Sequence, residues 1–185
     1  TLLMVNSQHA NAAALNGRGG ERLGYDLAGD FAHITLLAST PLILFVNAAV
    51  PAGNVREFIA LAKARPGDLR YASAGNTSLA HLAGELFSSL AGVKLAHIPY
   101  KSSALSVVDL LAGRIDLMVD TPTVLLEHVK DGKLRALATA TLKRIEPQPD
   151  LPTLDELGFK GIEIDNWFAV VAPAKTPKDK LAELA

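Results

Sequence analysis

Four short polar clusters carry most of the chemistry available to this chain: Asn6-Ser7-Gln8-His9, Ser73-Ala74-Gly75-Asn76-Thr77, Tyr100-Lys101-Ser102-Ser103 and Asp120-Thr121-Pro122-Thr123. Each follows a strand-like run and is expected at the C-terminal end of a strand, and the last three precede segments with helical periodicity, so a helix begins there. Backbone N–H groups at a helix start lack intrahelical partners and attract negative charge. Two or three such starts, with hydroxyls from Ser73, Thr77 and Ser103 and the ammonium of Lys101, suit a small anion, and a carboxylate is the natural candidate. Ser, Thr and Asn before a helix are equally ordinary N-caps that bind nothing else. Asp120 either caps its helix or meets a ligand ammonium. Lys101 is as well explained by a solvated surface. Trp167, the only tryptophan, follows Asp165-Asn166 at a loop-strand boundary, where its ring fits a core or the wall of a binding site.

Catalytic signatures are missing. There is no G-x-S-x-G elbow, H-E-x-x-H pair, Walker loop or G-x-G-x-x-G fingerprint, and the glycines from Gly17 to Gly20 are too irregularly placed to count. The five histidines, at positions 9, 33, 81, 97 and 128, have no metal-ligand spacing with one another or with acids, so neither a metal nor a cofactor is expected. His81 is expected on a helix face and His97 within a strand. With no cysteine, disulfides, zinc thiolates and thiol nucleophiles are excluded.

The chain has 185 residues, 49% of them hydrophobic, and its 18 basic and 19 acidic residues are spread along it. That is a globular composition without the field needed to gather nucleic acid or an anionic membrane surface, and no apolar run is long enough to span a bilayer. Both ends read as cut. Residues 1–5 are strand-like from the outset, and residues 180–185 stop inside a helical pattern, so a piece of a longer chain is expected.

The elements that must position the clusters follow from local signals. A polar, glycine-rich stretch runs over 6–30, and β-rich pieces over 34–38 and 42–46 flank Pro41. Asn54 with Glu57 predicts a helix ending near Pro66-Gly67; Thr77 or Ser78 starts a second, ended by Gly92; Ser102 or Ser103 a third, ended by Gly113; Thr121 with Pro122 a fourth, ended at Asp131-Gly132. Strands are predicted at 69–73, 94–98, 115–119 and 134–138 between them. Four strands with three intervening helices argue for a mostly parallel sheet with helices on both faces. After a Pro-rich link at 146–152, a short helix at 153–157 with Glu156 in the capping-box position, strands at 162–164 and 167–171 and a last helix after Thr176-Pro177 are expected. The regular alternation between two irregular flanks suggests two crossings and a hinge.

Taken together, YASAGNTSLAHLAGELF, VKLAHIPYKSSALSVVDLLAGRIDLMVDTPTVLLEHVKDGKLRALA and NWFAVVAPAKTPKDKL resemble the Bug family of extracytoplasmic solute receptors, the TctC-like receptors of tripartite tricarboxylate transporters. The resemblance implies an α/β, bilobed periplasmic-binding-protein type II-like fold, a Venus flytrap, closing on a small mono-, di- or tricarboxylate or an acidic amino acid. Residues 1–46 and 140–185 would form lobe one and 47–139 lobe two. The first lobe would be incomplete, lacking the family's opening strand and Gly-rich loop and a C-terminal helical region, and Ser102 stands where the family commonly has Gly. The implied site comprises Ser7, His9, Ser73, Gly75, Asn76, Thr77, Tyr100, Lys101, Ser103, Asp120, Thr121 and Trp167, largely through backbone amides and ordered water. The implied location is periplasmic, without membrane insertion, and the implied partners are transporter subunits or a sensor protein. Two other readings stay open: the effector-sensing domain of a transcriptional regulator, and, further off, a small α/β hydrolase using Ser73 or Ser103 with a histidine.

Overall fold

The computed structural model describes residues 1–15 and 23–184, so the glycines at 17–20 lie outside the described residues. Two compact units emerge, one of residues 1–40 and 166–185, the other of residues 41–165. The chain passes between them at Thr40/Pro41 and at Asp165/Asn166. The boundaries expected at 46/47 and 139/140 therefore shift. Residues just past the alternation give the reason. Ala140 N–H donates to Leu42 O at 2.8 Å, Ile164 N–H donates to Ala140 O at 2.8 Å, and Leu151, Leu154 and Ile162 are buried in the second unit's cores.

The second unit is a five-stranded sheet. Its strands are β3 (Ile43–Asn47), β4 (Arg70–Ser73), β5 (Ala96–Pro99), β6 (Leu117–Asp120) and β7 (Leu134–Thr139), in the order β5-β4-β6-β3-β7. β4 is parallel to β5 and β6, whereas β3 is antiparallel to both β6 and β7. The four strands of the predicted alternation thus share one direction, and β3 is inserted against them. Every residue of β3 is buried. Leu44 and Val46 face a core shared with Val55, Phe58 and Ala62 of α2 (Val55–Ala64) and Ala83 and Phe87 of α3 (Leu79–Ala91). Ile43 and Phe45 face the other core, with Leu110 of α4 (Ser103–Leu111) and Leu125 of α5 (Pro122–Lys130). The period of two along a strand thus loads both faces of the sheet.

The helix limits follow the local signals. Glu57 N–H donates to Asn54 Oδ1 at 3.0 Å and His81 N–H to Ser78 Oγ at 3.2 Å, so Ser78, not Thr77, is the N-cap of α3. Gly92 closes α3 in the left-handed region at φ 63°. The segment at 153–157 departs from expectation. Its capping box forms, with Glu156 N–H on Thr153 Oγ1 and Thr153 N–H on Glu156 Oε2, both at 3.0 Å, but it makes a single turn and no helix. The chain is turned back at once, by Phe159 N–H on Leu154 O at 3.0 Å with Gly158 at φ 95°. Residues 162–164 are likewise no strand.

The first unit is a three-stranded sheet, β1 (Leu3–Asn6), β8 (Asp165–Pro173) and β2 (Phe31–Pro41), in the order β1-β8-β2. β1 and β8 pair antiparallel with Leu3 opposite Val171. A helix absent from the sequence reading, α1 (Ser7–Leu15), follows β1; its run of alanines favours helix, and Gln8 N–H is satisfied by Asn6 Oδ1 at 3.1 Å. α6 (Lys178–Leu184) completes the chain order. Met4, Leu36 and Leu37 are more than half exposed. The 168–171 segment lies in the central strand of this sheet, and among the described residues its edge strands are β1 and β2.

Protection from solvent should follow this division. In hydrogen exchange on the isolated chain, amides of residues 43–46 and 117–119 are expected to exchange slowest, and those of β1 and β2 faster by at least an order of magnitude, because local opening is easiest where few apolar contacts resist it. Equal, strong protection in both sheets would contradict the assignment.

Candidate functional site

The C-terminal ends of β5, β4 and β6 lie side by side, which brings three of the predicted clusters to one edge of the second unit. The first two are stitched together: Tyr100 N–H donates to Ser73 O at 2.9 Å. Ser73 is fully buried and its hydroxyl turns inward, donating to Gly75 O at 2.9 Å and accepting from Gly75 N–H at 3.2 Å. It shapes the turn and offers no hydroxyl to a ligand. Gly75 sits at φ 114°, a conformation a side chain rarely adopts. Asn76 and Thr77 are exposed. Thr77 has φ 65°, the only left-handed non-glycine among the described residues, a costly conformation for a β-branched residue. Its hydroxyl donates to Asn76 O at 2.6 Å.

In the second cluster Lys101 is exposed, while the phenol of Tyr100 donates to Asp109 Oδ2 at 2.6 Å, with Arg114 on the other carboxylate oxygen. Burial, and then the Asp109 hydrogen bond, push the Tyr100 phenol up to about 12. The hydrogen bonds from Tyr100 and Arg114 hold Asp109 below the usual carboxylate range. The Tyr100 hydroxyl therefore fixes the ring on α4 and is not free for a ligand.

The helix starts differ in kind. α2 and α3 are capped by side chains, but Ser102 and Thr121, in the cap positions of α4 and α5, make no side-chain cap hydrogen bond. Between these two uncapped starts lies a cavity of about 210 Å³ lined by Ser103, Ala104, Val107, Asp120, Thr121 and Leu125. Asp120 is not the cap. Its Oδ1 accepts from Thr121 N–H at 2.7 Å, and its Oδ2 is buried without a partner. First-turn N–H groups with a partly apolar wall are what a carboxylate on a short carbon chain requires.

Ser7, His9 and Trp167 belong to the first unit. Ser7 is buried, donating to Asn166 Oδ1 at 2.9 Å, and His9 Nδ1 accepts from Asn6 N–H at 3.2 Å. Trp167 is half-buried in β8.

Four residues beside the 73–77 turn escaped the sequence reading. His97 Nε2 lies 2.7 Å from Ser73 Oγ, and the ring of His97 stacks on Tyr71 at 4.8 Å and on His81 at 4.2 Å between centroids. Tyr71 donates its hydroxyl to Glu85. The one usable sequence signal was the spacing of Thr77 and His81, four apart across a helix start: Thr77 N–H donates to His81 Nδ1 at 3.2 Å. The contact of Ser73 with His97 looks like half of a hydrolase, but this serine is inaccessible and its proton is committed to Gly75 O. Among the described residues no group of histidines and acids could hold a metal ion, and no helix is long and apolar enough to cross a membrane.

Comparison with known proteins adds a family model, the tripartite tricarboxylate transporter family receptor, which matches residues 1–185. Protein BugT of Bordetella pertussis is 35% identical over 176 residues, 95% of this chain and 53% of BugT. The solved structure of R. palustris Rpa4515 with adipate superposes with a TM-score of 0.84 at 34% identity, covering 100% of this chain and 60% of that one. MatC from Rhodopseudomonas palustris with bound malate gives 0.81 at 26% identity, covering 100% and 62%. The chain spans about half the length of the curated relatives it matches.

Two substitutions test the packing around the turn. Thr77→Gly relieves a left-handed β-branched residue, worth about 1–2 kcal/mol, against about 0.4–1 kcal/mol of added unfolded-chain freedom, so a thermal melt should show a net gain of about 0.5–1 kcal/mol. Gly84→Ala puts a methyl 2.5 Å from the Tyr71 ring and should destabilise by about 1–3 kcal/mol despite alanine's better helix propensity. A neutral Gly84→Ala melt would mean that Tyr71 is free to move.

Proposed function

This chain belongs to the family of tripartite tricarboxylate transporter receptors, and on that premise we propose that the full-length protein is a periplasmic solute receptor. It captures a small carboxylate and delivers it to a membrane transporter or a sensor protein, with no chemistry of its own. The observation that carries the reading is the pair of uncapped helix starts at Ser102 and Thr121 flanking one cavity, since donors left without partners at adjacent helix N-termini favour an anion. The carbon wall of Ala104, Val107 and Leu125 favours a ligand with methylene groups over a bare inorganic anion. The relatives bound to adipate and to malate support the same ligand class. On the second unit the contacts fall to the amides of the 73–77 turn and of the first turns of α4 and α5, with Ser103 and Thr121 as side-chain donors and Lys101 supplying long-range attraction. The lack of a large aromatic face at the cavity among the described residues, and of a phosphate-loop motif in the sequence, argues against a nucleotide.

Calorimetry on the full-length protein with malate, succinate, adipate, glutamate, a hexose and a nucleotide tests the proposal. Heat should appear for at least one carboxylate and for neither of the last two. Ser103→Ala should weaken that binding by about 0.5–1.5 kcal/mol, the net worth of an ordinary hydrogen bond, with the melting temperature little changed. Silence across the acids with tight hexose or nucleotide binding would refute it.

A further inference from the structure

The 73–77 turn is held at both ends by imidazoles from two different elements. At its far end Thr77 N–H donates to Nδ1 of His81, on α3, at 3.2 Å. That bond exists only while Nδ1 carries no proton, because a charged imidazole presents N–H groups at both nitrogens. At the near end Nε2 of His97, on β5, lies 2.7 Å from Ser73 Oγ. A charged His97 donates in this contact and the Ser73 oxygen can accept, so the contact survives protonation of His97. The two rings stack at 4.2 Å with planes 30° apart, a separation at which two positive charges repel strongly. Glu85, exposed on α3 and bonded to the Tyr71 phenol of β4, draws positive charge toward His97. Burial first, and then the neighbouring His81, work the other way and outweigh it, holding His97 below its ordinary value of 6.5. A base depressed in the folded state binds fewer protons there than in the unfolded chain, so its contribution to stability is complete at neutral pH and is lost as pH falls below 6.5. Thr77 itself is strained at φ 65° and keeps that conformation only while tethered.

We propose that His81 and His97 are positioning residues for the 73–77 turn: uncharged and stacked they hold it in shape, and protonation of the pair frees Thr77, so that carboxylate capture weakens on acidification. The last clause rests on the functional reading above; the rest concerns the turn alone. The two parts separate experimentally. In ligand-free NMR titrations of the full-length protein from pH 8 to 5, the Thr77 amide resonance should move with the same midpoint as the ring protons of His81, and its exchange protection should fall about three- to tenfold, the worth of one hydrogen bond. His81→Gln, which keeps a neutral acceptor, should leave a Thr77 amide that no longer titrates. A Thr77 amide that stays fixed while the His81 ring titrates in the wild-type protein would overturn the proposal without any variant. A midpoint unchanged in a folded His81→Gln protein would do the same. In a second arm, affinity for malate and adipate at pH 7.5 and 5.5 should drop about three- to tenfold in the wild type and stay level in His81→Gln. If neither acid binds at any pH, the functional reading fails for these acids while the turn's titration still stands or falls alone.

Discussion

The second unit depends on one strand entering its sheet the wrong way round. β3 is hydrogen-bonded on both sides, to β6 and to β7, and none of its five residues reaches solvent. Its odd and even positions feed different cores, so removing it would uncover Phe58 and Phe87 on one face and Leu110 and Leu125 on the other. Asn47 at its end adds a polar tie. Its side-chain amide donates to Leu110 O at 2.7 Å and its side-chain carbonyl accepts from Ala49 N–H at 2.8 Å, closing the C-terminus of α4. Ile43 lies opposite both Asp120 and Thr139, so the strand also fixes the end of β6 from which the cavity residues project.

With the sheet set, the strand ends can specialise. Where β4 ends, several polar groups of the turn are spent internally: the serine on glycine, the threonine hydroxyl on its neighbour's carbonyl, the threonine amide on a histidine. Where β5 and β6 end, the helices start without side-chain caps, and one carboxylate oxygen of Asp120 is buried without a partner while the other holds the Thr121 amide. A rigid loop beside two unsatisfied helix starts is a division of labour between shape and affinity.

Much of this was legible where the cause is local. Asn54 with Glu57, Gly92, Gly113 and Thr121 with Pro122 mark helix limits because their chemistry acts within three or four residues, and each limit is found near its predicted place. All four clusters were expected at strand ends on one edge; the three that follow β4, β5 and β6 lie together because parallel crossovers return each strand the same way, whereas residues 6–9 belong to the other unit. What failed was set by distance along the chain. Nothing near Ile43 says that it pairs with Thr139, so β3 was assigned to the wrong unit. Cap chemistry at Thr153 and Glu156 is real but promised a helix that Gly158 cuts short. The Tyr71, His81 and His97 stack joins two strands and a helix through ring faces, which leave no periodic trace.

The placement of β3 also orders events in time. It leaves the ribosome before both of its neighbours, and it cannot be hydrogen-bonded on either side until residues 117–120 and 134–139 exist. β4, β5 and β6 pair with one another across intervals of a few tens of residues, whereas closing β3 between β6 and β7 spans most of the unit and carries the largest loop-closure entropy within it. The earliest strand of this unit is thus paired on both sides only when its last strand exists, and until residues 117–120 are made a run of Leu42, Ile43, Leu44, Phe45 and Val46 has no partner in the sheet. A chain built this way stays open late in its own synthesis, which is the condition in which a polypeptide can still be threaded or bound by a chaperone before its core shuts.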